Sequence, residues 1–426
     1  MPAKKRPLYI LPTQLFKEDH GMALEFLESP QQQTIREFVH WVAKEKMRPN
    51  ALEADRNQEV PIGLLTELKE MGITMDTGSG GGRLEEGSEK KAGKSPKEFN
   101  RLIVTAVEEL GWGDAGITLS LSGAGLGGPP VSSFGTPEQR ERFFGIFKDK
   151  ELKWGAYATT EPQCGSDVSD IRTRCVKDGD AYILNGTKTF ITNGNIASWV
   201  VVFATIDFSL GRAGHRAFVV EKGMPGFVQG EKVHKMGLRA NDTAVLYFED
   251  CRVPKENLLG GEDLYEARQS GGFRVAMGTF DATRPIVAAM ALGIARASFE
   301  HTRDFIKENY NLDRPIARYG RIKEKLAEME LKLGAGRLLI QKAAWMADVG
   351  RPNTLEASAA KAYMGKAALE ICAECIDLIG DSGTTQDHLL EKWFRDIKVY
   401  DIFEGTGQVN RLVVARRLYE PFGIRV

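Results

Sequence analysis

Apolar positions recur at intervals of three and four from about residue 30 to residue 72. Ile35, Phe38, Val39 and Val42 share one face and Leu64, Leu65, Leu68 and Met71 another, a pattern that predicts amphipathic helices. Residues 76–96, with Gly78, Gly80, Gly81 and Gly82 among mixed charges, hold too few apolar side chains for a core and read as an exposed loop. Helical spacing resumes at about Pro96 through Leu102, Ile103, Ala106, Val107 and Leu110. The run Gly123-Ala-Gly-Leu-Gly-Gly-Pro-Pro130 lacks both a Gly-Lys-Ser/Thr ending and a preceding strand. It therefore reads as a close approach of backbones rather than a phosphate cradle. From Leu152 to about Leu259 the period shortens. Runs at 181–184, 199–204, 216–221 and 244–249, separated by turn clusters such as Lys177-Asp-Gly-Asp180 and Thr192-Asn-Gly-Asn195, predict a β sandwich or barrel. Beyond Gly271, long amphipathic stretches at 280–308, 321–349, 354–379 and 389–403 predict an antiparallel four-helix bundle. The expected fold class is mostly α with a central β module, in three domains: helical over 1–151, β over 152–270 and a helical bundle over 271–426.

A chain of 426 residues holds two or three domains with a sizeable core. Its apolar content of 42%, charged content of 27% and net charge of −1 give no electrostatic reason to expect nucleic acid or an anionic membrane as partner. The longest apolar stretch, 286–295, is about half of what a bilayer demands, so no membrane span is expected. The basic start is followed by no apolar run, and five scattered cysteines argue for a reducing compartment; a cytoplasmic location is the expectation. Cys372-Ala-Glu-Cys375 has metal or redox spacing, but it lies in a helical pattern without a second ligand pair. It reads as two packed thiols, and no metal site is expected.

The candidate chemistry lies in Asp401-Ile-Phe-Glu-Gly-Thr-Gly-Gln-Val-Asn-Arg411. Glu404 stands between an apolar flank (Val399, Ile402, Phe403) and Gly405, which permits a sharp turn and close approach by another molecule. Thr406 is placed to cap a last helix carrying Val409, Leu412, Val413 and Leu418. A partly desolvated carboxylate at the mouth of a rigid element suits a general base. On residue chemistry alone, a glutamate before a helix is more often a solvated complement to the helix dipole, and both readings stand at this point.

Five stretches, taken together and in order, resemble the acyl-CoA dehydrogenase family: Tyr157-Ala-Thr-Thr-Glu-Pro-Gln-Cys-Gly-Ser-Asp167, Gly186-Thr-Lys-Thr-Phe-Ile-Thr-Asn-Gly194, Phe248-Glu-Asp-Cys-Arg-Val-Pro254, Phe280-Asp-Ala-Thr-Arg-Pro285 and Phe403-Glu-Gly-Thr-Gly-Gln408. Each is weak alone; five in register from Trp154 onward are specific, and the set is most similar to the medium-chain enzymes. The resemblance implies an FAD-dependent oxidation of an acyl-CoA thioester to its trans-2-enoyl form. Glu404 would remove the α-proton, flavin N5 would take the β-hydride, and electrons would pass to electron-transfer flavoprotein. The backbone N–H of Glu404 and a ribityl hydroxyl of FAD would meet the charge growing on the thioester oxygen. Some relatives carry the base at the position of Thr283, where threonine cannot serve.

By the same resemblance, Thr160 and Thr192 would hydrogen-bond the flavin ring, and Phe190, where tryptophan is usual, would pack on its face. Tyr157 and Thr159 would line that pocket, and Thr406 and Gln408 would reach the FAD phosphates and ribose. Ser166 is assigned to both cofactor and CoA, Asp281 and Arg284 to the CoA arm, and Gly405 to the substrate. Asp281 and Arg284, three apart, also fit a simple surface pair.

The departures concentrate on contacts to the ADP half of FAD, which the family makes across subunits. Asn309-Tyr-Asn-Leu-Asp313 replaces an Arg-x-x-Phe-Gly pattern, Gly320 stands at a glutamine position, and Gly380-Asp-Ser-Gly383 places a carboxylate where a diphosphate would lie. Arg314, Arg318 and Arg321 are candidate replacements in a homotetramer or homodimer. The alternatives are a catalytic or non-catalytic subunit of a heteromer with a homologous chain, or an acyl-CoA oxidase. The oxidases usually carry an extra C-terminal domain, which favours a dehydrogenase here. Residues 120–128, rich in Gly and Ser, leave room for a bulky, branched or cyclic acyl group.

Overall fold

The computed structural model describes residues 27–75, 98–266, 271–315 and 317–423. The loop expected at 76–96 lies outside them. Helices α1 (Pro30–Val42), α2 (Arg48–Asn57), α3 (Ile62–Glu70), α4 (Phe99–Gly113), α5 (Ala115–Ser120), α6 (Gly128–Phe134) and α7 (Pro137–Gly145) form the first part. Ser29 and Thr136 cap α1 and α7 with reciprocal bonds to Gln32 and Gln139, which fixes where those helices start. A π-helical turn, Ala43–Met47, joins α1 to α2 just ahead of Pro49, a residue with no N–H to continue the ladder.

Strands β1 (Gly155–Ala158), β2 (Arg174–Asp178), β3 (Ala181–Thr192), β4 (Trp199–Thr205), β5 (His215–Glu221), β6 (Phe227–Lys232) and β7 (Thr243–Pro254) make one seven-stranded sheet. Its order is β1-β4-β2-β3-β7-β6, with β5 antiparallel on β4. The reading of four strands missed β1, β2 and β6. β4 is buried along its whole length because both its faces are covered: Val200, Val202 and Ala204 enter one cluster, and Trp199, Val201 and Phe203 enter another with Phe143 and Val275. The glycine run at 123–128 does bring backbones together: Gly155 N–H donates to Gly123 O at 2.9 Å, and a Cβ on Gly127 would lie 2.6 Å from Ala156 O.

After the short α8 (Asp263–Glu266) come α9 (Gly271–Asn309), α10 (Ala317–Asp348), α11 (Thr354–Ile379), α12 (Leu390–Ile397) and α13 (Gly407–Tyr419). The stretch expected as one helix over 389–403 is instead α12 followed by a 3₁₀ turn, Lys398–Asp401. Helices of the first part and of the bundle share one core, from Val39 and Leu110 through Leu292 to Ile371 and Trp393. α4 and α9 cross closely, since a Cβ on Gly293 would lie 2.1 Å from Glu108 O. Arg296 of α9 binds both Glu108 and Glu109 of α4 there, and Arg337 of α10 binds Glu108 at 2.6 Å. Cys372 and Cys375 are buried, beside Ser298 and Met329 respectively, as packed thiols. Among the described residues no helix is long and apolar enough to cross a membrane.

Candidate active site

The 3₁₀ turn runs into Glu404 and Gly405, both with left-handed backbone, φ +56° and +88°. Glycine takes that conformation freely, whereas glutamate is strained in it by about 1–3 kcal/mol, so the surroundings must hold it. They do so from three helices. On α9, Thr283 Oγ1 lies 2.7 Å from Glu404 Oε2, and the buried Arg284 donates to Glu404 O at 3.5 Å while bonding Ser358 Oγ of α11 at 3.0 Å. Lys361 Nζ of α11 and Asn410 Nδ2 of α13 both donate to Gly405 O, the latter at 2.7 Å. Thr406 caps α13 through Val409 N–H at 3.2 Å, as its position before the helix suggested.

Glu404 closes a cavity of about 690 Å³, open space included, lined by Leu119, Gly125, Leu126, Tyr157, Thr192, Thr283, Val287, Met290 and Phe403 among others. Most of that lining is apolar, so burial pushes the Glu404 carboxyl above the usual carboxylate range; Thr283, Arg284 and Lys361 pull against it. The Tyr157 phenol, also pushed up by burial, packs at 5.1 Å from the Phe203 ring. The Tyr157 hydroxyl and Thr159 Oγ1 are buried, face each other and have no other hydrogen-bond partner, leaving capacity that a bound group would satisfy.

The remaining candidates are placed as follows. Thr160 O accepts from Thr189 N–H, which leads into a register shift of β3 between Lys188 and Ile191. At that shift Phe190 takes φ +57° and stands 63% exposed, a bare aromatic face beside Thr192. Ser166 and Gln408 are exposed outside the cavity lining. Asp281 accepts from Thr354 Oγ1 at 2.6 Å and lines a groove of about 800 Å³ between α4, α9, α10 and residues 350–353. Its ion pair with Arg284, 3.5 Å long, is not a surface pair, because the arginine side chain is 6% exposed. Pro285, which has no N–H, leaves Asp281 O unbonded within α9, and Asn353 Nδ2 approaches that carbonyl at 3.4 Å. Arg314, Arg318, Arg321 and Asp381 are all exposed.

Lys361, Ser358 and Asn410 were not found from the sequence. The available signal was a lysine three residues after a serine in the otherwise small-residue run Ala357-Ser-Ala-Ala-Lys-Ala362. A lone charge on a face of that kind must be engaged by something.

Three family models match the chain: acyl-CoA dehydrogenase, N-terminal domain, over residues 29–146; middle domain over 156–251; and C-terminal domain over 270–419. A short-chain-specific acyl-CoA dehydrogenase of Megasphaera elsdenii is 36% identical, over 91% of this chain and 97% of its own. A cyclohexane-1-carbonyl-CoA dehydrogenase of Syntrophus aciditrophicus is 35% identical, over 92% and 97%. Among solved structures, butyryl-CoA dehydrogenase from Megasphaera elsdenii superposes with a TM-score of 0.80 at 34% identity, over 93% of this chain and 100% of that one. A chain solved in work on the electron transferring flavoprotein of Acidaminococcus fermentans gives a TM-score of 0.80 at 35% identity, over 93% and 99%. The chain belongs to the acyl-CoA dehydrogenase family, with that family's three-part architecture. It is a flavoprotein oxidoreductase, an FAD-dependent acyl-CoA dehydrogenase.

Proposed function

We propose that this enzyme oxidises a compact acyl-CoA thioester to the trans-2-enoyl-CoA, with Glu404 removing the α-proton. The supporting observation is the carboxylate itself: strained into the left-handed region, held by Thr283 and Arg284, and raised in basicity by burial at an apolar cavity. A base in such a site is poised to accept a carbon-bound proton near neutral pH. FAD, when bound, supplies the acceptor for the hydride leaving the β-carbon. The residues that would hold it are Phe190, whose exposed ring offers a face to stack on, with Thr160, Thr192, Tyr157 and Thr159 around it and Thr406 and Gln408 at the start of α13. The Glu404 N–H would donate to the thioester oxygen as charge grows there. Ser166, Asp281 and Gly405 would meet the CoA arm and thioester, while Arg284 acts from beneath on the loop carbonyl.

Electron-transfer flavoprotein is the acceptor this reading assigns, in keeping with the structural likeness to the Acidaminococcus chain. Leu119, Val287 and Met290 line an apolar cavity that suits a short or cyclic acyl group, in keeping with the short-chain and cyclohexane-1-carbonyl relatives. Turnover across an acyl-CoA panel with an artificial electron acceptor tests the reading. Short straight or cyclic acyl groups should win and Glu404→Gln should be inactive; preference for long chains overturns the substrate class, and an active Glu404→Gln overturns the base.

A further inference from the structure

Lys361 sits in α11 with 1% of its surface exposed, among Ala357, Ser358, Ala360, Ala362 and Met364, a setting that disfavours an ammonium unless it is engaged. Its hydrogen bond goes to a neutral carbonyl, Gly405 O. One amide oxygen does not offset the loss of hydration of a cation; nearby carboxylates do. The charged groups facing it are Asp401 from the 3₁₀ turn, Glu404 itself, and Arg284 from α9. So the cations of two helices reach the same strained dipeptide from below, Arg284 at the Glu404 carbonyl and Lys361 at the Gly405 carbonyl. Relaxing Glu404 into a right-handed conformation would break both contacts and redirect its Cβ.

We propose that Lys361 is a positioning residue, pinning the Gly405 carbonyl so that Glu404 keeps its left-handed backbone and its carboxylate stays aimed into the cavity as an anion. The inference rests on Glu404 being the base. Lys361 touches neither substrate nor cofactor in this account; it acts through the loop. Burial lowers its ammonium to about 8, against Asp401 and Glu404, which raise it, and with Arg284, which adds to the drop. As pH rises through that value the cation is lost, the carboxylate loses support and the Gly405 carbonyl loses its charged donor. The rate should then fall on the alkaline side.

The test uses the flavin-loaded enzyme and the fastest acyl-CoA of the panel, with kcat and kcat/KM followed against pH in Lys361→Met and Lys361→Arg. An infrared difference titration follows the Glu404 carboxyl, with Glu404→Gln as the blank. Lys361→Met should lower kcat on the order of 10–100-fold, as a displacement near 1 Å at a reacting group does, with KM changed much less. The carboxyl transition and the acid limb should both move up by about one pH unit, the effect of removing a nearby cation. Lys361→Arg should recover most of kcat and lose the alkaline fall near pH 8, because guanidinium stays charged. A Lys361→Met enzyme with the native kcat, acid limb and carboxyl transition overturns the proposal. If the methionine variant does not fold, Lys361→Arg decides: an alkaline fall unchanged from the native enzyme overturns it. An active Glu404→Gln would instead defeat the base assignment, whatever the Lys361 variants do.

Discussion

Thr283→Val isolates one hydrogen bond to Glu404, the proposed base. The hydroxyl has a single proton and two acceptors in reach, Glu404 Oε2 at 2.7 Å and Thr279 O at 3.1 Å. When Glu404 is ionised the proton belongs on the carboxylate; when Glu404 is protonated it can turn to the helix carbonyl. The bond therefore favours the anion and lowers a pKa that burial has raised. A hydrogen bond to a charged group contributes about 1.5–3 kcal/mol, which at about 1.4 kcal/mol per pKa unit is a shift of roughly one to two units. Valine keeps the shape and cannot donate, so the Glu404 pKa should rise by about that much. On the proposed role of Glu404 as base, turnover needs the carboxylate, so the acid limb of kcat/KM should move up equally. One unit below the new limb, activity should be down about five- to tenfold relative to the native enzyme, for a shift of one to two units; well above it, the two should converge. Steady-state kinetics from about pH 5 to 9 checks this, with Thr283→Ser expected to keep the native limb. A Thr283→Val enzyme with an unmoved acid limb, or with a loss uniform across pH, would refute the assignment of Thr283 as a donor to the base.

Glu404→Gln should unfold at a higher temperature than the native protein at alkaline pH. A carboxyl with its folded pKa above the unfolded one destabilises the fold once ionised, and the difference should shrink as pH falls through the folded pKa toward the unfolded one; calorimetry at two pH values reads it. Gly405→Ala puts a side chain at φ +88° with its Cβ 3.1 Å from Asn410 Nδ2, so the loop should shift and kcat fall on the order of 100-fold in the same turnover assay. Lys392→Met should cost about 3–5 kcal/mol in guanidinium unfolding. It strips the cation from the fully buried Asp114 and Asp396, which bond Lys392 at 2.5 and 2.6 Å and so tie α5 to α12, while Asp396 also accepts from Leu238 N–H.

Helical periodicity made the long helices legible because each buries a continuous face; α1, α4, α9 and α11 all bury apolar residues at helical spacing, but Phe38, expected on the α1 face with Val39 and Val42, lies off the core and is 44% exposed. β1 escaped notice because it is only four residues long and joins the sheet through parallel pairing with the distant β4, and β2 because only one of its five residues is buried, although it pairs antiparallel with the neighbouring β3 along its whole length. The end of α12 at Ile397 was illegible for another reason: the apolar spacing continues through Tyr400 and Phe403, which are packed by the 3₁₀ turn and the loop instead of a helix. At the site, the Glu-Gly-Thr sequence left Glu404 with two readings, between which only the family resemblance chose, and placed the Thr406 cap. The left-handed backbone of Glu404 and its support by Arg284, Lys361 and Asn410 could not be read there, because those residues lie from 6 to 120 positions away and meet only in the folded chain. The alternative of a simple surface pair for Asp281 and Arg284 stayed open in the sequence because spacing carries no information on burial, which tertiary packing decides.

The most direct test of the central claim is anaerobic mixing of the purified FAD-bound enzyme with its acyl-CoA, without an electron acceptor, followed by visible absorption. The native enzyme should bleach within the mixing experiment, and Glu404→Gln should bind the same acyl-CoA and keep its oxidised flavin spectrum. Bleaching of Glu404→Gln at a rate near the native one would show that the α-proton leaves to some other group.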